Sequence, residues 1–97
     1  MPEGNGEKKR PAAHFKCSSD HTTMLEVTVW ANPMQGQDGS TWTQYAITMA
    51  KSYKGHDGKW HPASSYRQHE LPVLYFLLRR AHDWCLSQRM EDSTIPF

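Results

Sequence analysis

Two segments of the chain alternate between apolar and polar positions with a period of two. From Met24 to Asn32, Leu25, Val27 and Val29 alternate with Glu26, Thr28 and Trp30, the pattern of a strand with one face buried. Trp30 falls on the polar side, either at the rim of the core or on a contact surface. From Trp42 onward, Thr43, Tyr45, Ile47 and Met49 point one way and Trp42, Gln44, Ala46 and Thr48 the other. This predicts a long strand with Tyr45, Ile47 and Met49 in the core. A shorter alternation over His14–Ser18 predicts a first strand. Trp60–Tyr66 predicts a last one, placed at an edge or bulged because Pro62 lacks a ladder donor. The connection Tyr53–Trp60 contains Asp57-Gly58, suited to the positive φ of a tight hairpin. Between Asn32 and Thr41, Pro33, Gly36, Asp38 and Gly39 predict a long loop beside a site.

The period then changes. From Glu70 to Gln88, Leu71, Leu74, Leu78, Ala81 and Cys85 recur at helical spacing, and Pro72 fits only a first turn. Val73, Tyr75, Phe76, Leu77 and Trp84 lie off that stripe. A helix on a sheet buries roughly a third of its circumference, so a second apolar face calls for a second partner. With no other helix in the chain, a copy of itself is the economical choice, through Val73, Phe76, Leu77 and Trp84. The predicted architecture is α+β: a twisted antiparallel sheet of about four strands followed by one long C-terminal helix. The folded domain is expected over 14–89, between a disordered basic arm (1–13) and a flexible tail (90–97).

Composition adds limits. Ninety-seven residues with 37% hydrophobic and 22% charged side chains make one domain with a modest core. The longest apolar run, Val73–Leu78, is too short to span a bilayer. With no secretory signal and two cysteines, Cys17 and Cys85, outside any metal spacing, a reduced cytoplasmic protein is expected. Cys17 with His21, or His56 with His61, supplies two ligands where zinc needs about four, so no metal is expected. Nor is a cofactor, a small-molecule substrate or an enzymatic reaction: there is no phosphate-cradling glycine loop, and His82 with Cys85 lacks an orienting third group.

Net charge is only +1, but its distribution is uneven. Lys8, Lys9, Arg10 and Lys16 cluster without an acid, and Lys51, Lys54, Lys59 and Arg67 face Asp57 alone between Ser40 and Arg67. Tyr53 and Trp60 lie among the latter. Cations hold phosphates and rings stack bases, so this mixture suits single-stranded nucleic acid, DNA or RNA. A dimeric protein-binding module that uses the same aromatic hairpin is the other reading.

The strand order, with Val27-Thr28-Val29, Lys51-Ser52-Tyr53-Lys54, the turn Asp57-Gly58-Lys59-Trp60-His61-Pro62 and the helix from Leu71, resembles the single-stranded-DNA-binding domain of the transcriptional coactivator positive cofactor four and its small bacterial relatives. The resemblance spans about Phe15 to Leu86. It implies a homodimer held by the helices and a curved sheet that binds unpaired DNA through Lys51, Tyr53, Lys54, Lys59 and Trp60, with Arg67 and Lys16 added. The central sheet is less basic than in that family, and the segment Asn32–Thr41 is longer.

Overall fold

The computed structural model describes residues 10–90. Four strands, β1 (Ala13–Asp20), β2 (Thr23–Gln35), β3 (Thr41–Lys54) and β4 (Trp60–Ala63), form one antiparallel sheet in chain order. A 3₁₀ turn (Gln68–Glu70) leads into α1 (Leu71–Ser87), the one α-helix among the described residues. The expected α+β architecture is therefore the observed one. The expected arm up to residue 9 and tail from residue 91 lie outside the described residues. Among the described residues, no helix is long and apolar enough to cross a membrane.

The core joins β2 to α1. Leu25, Val27 and Val29 are fully buried, and Leu74, Leu77 and Ala81 close over them. Phe15, Cys17, Tyr45 and Trp84 pack around this centre. The buried stripe of α1 is thus centred on Leu74, Leu77 and Ala81. Leu71, Leu78 and Cys85, expected at its middle, form a half-buried flank. Leu77, assigned to a dimer face, belongs to the protomer's own core. Val73 and Trp84 are half-buried against that core, with the Trp84 ring edge-on to Tyr45 at 5.4 Å. Of the four residues assigned to that face, only Phe76 stands exposed.

A second difference concerns β3. The helix packs on β1 and β2, so the inward-pointing side chains of β3 lose their cover. Ile47 and Met49, expected in the core, are 42% and 50% exposed.

The third difference is the segment expected as a long loop. β2 continues through Pro33 to Gln35, and β3 begins at Thr41, with Met34 opposite Trp42. Only Gly36–Ser40 turns the chain. This turn repeats that of the next hairpin: Gly36-Gln37-Asp38-Gly39-Ser40 and Gly55-His56-Asp57-Gly58-Lys59. In each, the first glycine donates to the carbonyl of the fifth residue at 2.8 Å. The second glycine takes the left-handed conformation, φ 87° at Gly39 and 79° at Gly58, where a Cβ would be strained. The aspartate accepts from the backbone N–H two residues on, Ser40 at 3.0 Å and Lys59 at 2.9 Å. Asp20 closes the β1–β2 turn likewise, accepting from the Thr22 N–H and hydroxyl, both at 2.8 Å.

These bonds favour the ionised carboxylates. Asp20 is pulled down to about 2, chiefly by the Thr22 N–H and then its hydroxyl. Asp38 is lowered by the Ser40 hydroxyl and N–H, and Asp57 by the Lys59 N–H and then His61. A carboxyl depressed in the folded state stabilises it above the unfolded value of about 3.9 and loses that contribution as pH falls through the folded value. For Asp20 the window runs from about 4 down to about 2. The melting temperature is expected to fall across it. The combined Asp20→Asn, Asp38→Asn and Asp57→Asn variant keeps an acceptor in each turn but cannot titrate, so its melting temperature should depend less on pH there. Equal slopes for both proteins would refute this role of the turns.

Candidate nucleic-acid interface

Directly paired residues of an antiparallel sheet share a face. The ladder puts Phe15, Val27 and Met49 on the side of α1, and Lys16, Glu26 and Ala50 on the other. Among the described residues no helix covers that outer face.

Its rings stand toward opposite ends of the sheet. Trp30 is half-buried, and its Nε1–H donates to Thr48 Oγ1 at 2.9 Å, tying the indole to β3. Trp30, left open between the rim of the core and a contact surface, thus stands on the face away from α1. Trp60, at the start of β4, is 49% exposed. With Lys16, Met24, Glu26 and Ser52 it lines a depression of about 250 Å³. His14 Nε2 lies 2.7 Å from Glu26 Oε1, so the acid in this face already has a partner. A ring beside a cation in a shallow depression suits one stacked base and its phosphate.

Lys54 is paired with Trp60 on the ladder, and Lys59 precedes Trp60 at the end of the turn. Both are exposed, and their ammonium groups extend the positive edge beyond the ring. Tyr53 faces the helix side of the sheet, its ring 5.5 Å from that of His61, while His61 Nε2 lies 3.1 Å from both carboxylate oxygens of Asp57. Arg67 lies beyond β4, beside a second depression of about 330 Å³ that it shares with Tyr53, Lys54 and His69.

Lys51 has a different role from the one expected. It points inward, is 8% exposed, and its Nζ lies 2.8 Å from Glu70 Oε1. It also donates to the Ser65 carbonyl at 3.1 Å. Glu70 in turn accepts from the Arg67 N–H at 2.8 Å. Burial pushes the Glu70 carboxyl up, but the bonds from Lys51 and Arg67 outweigh it and the net displacement is downward. The alternation that carries Ile47 and Met49 carries Lys51 with them, so the period already excluded it from the outer face.

The predicted set therefore divides. Lys16 and Trp60 share the outer depression, with Lys54 opposite Trp60 on the ladder and Lys59 next to it in the turn; Tyr53 and Arg67, with Lys54, line the second depression; Lys51 is structural. Comparison of the chain with protein-family models, curated proteins and solved structures finds no match. Among the described residues no group of three His, Cys, Asp or Glu side chains converges as a metal centre requires.

Proposed function

We propose that the protein is a homodimer that binds single-stranded nucleic acid with little sequence selectivity, DNA ahead of RNA. The observation that carries this reading is the open outer face, with Trp30 and Trp60 spaced along it and Lys16, Lys54 and Lys59 at its basic end. Unpaired bases stack on rings without regard to sequence, and the cations follow the backbone. A duplex keeps its bases stacked internally and satisfies only the cations.

The dimer rests on the uncovered side of β3. Ile47 and Met49, with the flank of α1 that carries Cys85 and Leu86, form an apolar surface beside the helix. A second copy would cover it and leave both outer faces free.

Fluorescence anisotropy with a labelled single-stranded oligonucleotide tests the binding. Each phosphate contact on a single strand contributes about 0.7 to the slope of log affinity against log salt. Lys54→Ala and Lys59→Ala are each expected to flatten that slope by about this amount. Absence of binding at tens of micromolar protein would discard the reading in favour of a protein-binding surface.

A further inference from the structure

The β2–β3 hairpin runs past the rest of the sheet. β1 pairs with β2 only as far as Val29, and β4 pairs with β3 only from Lys51 onward. Among the described residues, the two strands therefore pair with each other alone from Pro33 to Thr43. A two-stranded ribbon is marginally stable in water without a third strand or a packed layer. This one nevertheless ends in large apolar groups. Trp42 is 51% exposed opposite Met34, and its ring lies so close to the turn that a Cβ on Gly36 would come within 3.3 Å of it.

What the ribbon touches is indicated by its charge. Between Asn32 and Gln44 there is no lysine or arginine, and Asp38 is the one acid. Such a surface carries no positive charge to attract phosphates, and its one carboxylate weakly repels them. At its root lies a groove of about 480 Å³ between β3 and the C-terminal half of α1. Tyr45, Ile47, Cys85 and Leu86 make the groove apolar, and His82 and Arg89 bring basic side chains to it. An apolar tip with one carboxylate thus complements an apolar groove lined by basic groups, and both belong to the same chain. Trp42, Thr43 and Gln44 of the ribbon itself also line that groove. A twofold axis beside it would let each ribbon run into the groove at the root of the other.

We propose that Asn32–Gln44 is an arm that grips the second copy of the chain, with Trp42 and Met34 seated beside Ile47 and Leu86 of that copy. The inference rests on the homodimer proposed above and names what holds it together. It also separates the ends of β3: the neutral end makes protein contacts and the basic end faces nucleic acid.

The test uses the full chain. With p-benzoylphenylalanine in place of Trp42, irradiation should give a covalent dimer on a denaturing gel. Peptide mapping should place the bond in β3 or in the segment His82–Arg89. Independently, the combined Trp42→Ala and Met34→Ala variant should raise the dimer dissociation constant at least tenfold by sedimentation, with an unchanged circular dichroism spectrum. A wild-type protein that sediments as a monomer would overturn both the arm and the dimer. A dimer whose dissociation constant ignores the double variant, with no intermolecular cross-link, would overturn the arm and leave the dimer standing. A cross-link formed only to added oligonucleotide would assign the arm to nucleic acid and overturn the proposal as well.

Discussion

Lys51→Met is expected to destabilise the fold by about 3–5 kcal/mol, the usual cost of removing one member of a buried ion pair. The ammonium and the Glu70 carboxylate meet at 2.8 Å and both are almost wholly excluded from solvent. Methionine fills most of the volume but leaves the carboxylate in a poorly hydrated site with only the Arg67 N–H as partner. Protonating that carboxyl relieves part of the cost, which puts the loss nearer the lower figure at acidic pH. The combined Lys51→Met and Glu70→Gln variant leaves no buried charge and retains an acceptor for the Arg67 N–H. It should therefore lose less stability than Lys51→Met alone, although two changes have been made. Urea denaturation measures all three proteins. The companion measurement is binding: once corrected for the folded fraction, Lys51→Met should leave the salt slope for single-stranded DNA unchanged. A stable Lys51→Met protein with a flattened slope would return Lys51 to the binding surface.

Trp60→Ala carries the largest expected effect on binding. The ring projects from the short edge strand β4 over a depression shared with Lys16, outside the core. Loss of a stacked base costs roughly 1–3 kcal/mol, so affinity for a single-stranded oligonucleotide should fall by about tenfold or more. Trp60→Phe retains a ring and should recover most of that loss. Thermal unfolding of both variants should stay close to wild type, because half of the indole is already in water. Duplex DNA should bind more weakly than single strands and be largely indifferent to the substitution. Equal affinity of wild type and Trp60→Ala for the single strand would remove stacking from the mechanism.

Much of the candidate site was legible in the residues because it depends on local chemistry. The Asp57-Gly58 pair predicts the turn that brings Lys54, Lys59 and Trp60 together, and the turn is there. The same reasoning applied to Gly36, Asp38 and Gly39 would have shortened the supposed loop, since the motif is the same five-residue pattern. Pro33 obscured it: a proline without a ladder donor reads as a break, but in a two-stranded ribbon one edge of each strand has no neighbour to supply. Trp30 remained ambiguous because alternation places it on the polar side without saying what that side meets.

Alternation and helical spacing follow from backbone geometry, so the sequence alone was enough to specify four strands, their facing residues and one helix of the observed length. Which of those faces would be covered depends on how far the cover extends. A helix is about 10–12 Å across and strands are spaced about 4.8 Å apart, so one helix roofs two strands. Here it lies on β1 and β2. Leu77 is consequently drawn into the core, and Ile47 and Met49, identical in pattern to Val27 and Val29, are left bare. Lys51 lies at the margin of that roof, where only the arrival of Glu70 at the head of α1 turns a basic residue in a strand into half of a buried pair. Such pairings join positions far apart in the chain, and their geometry exists only once sheet and helix have docked.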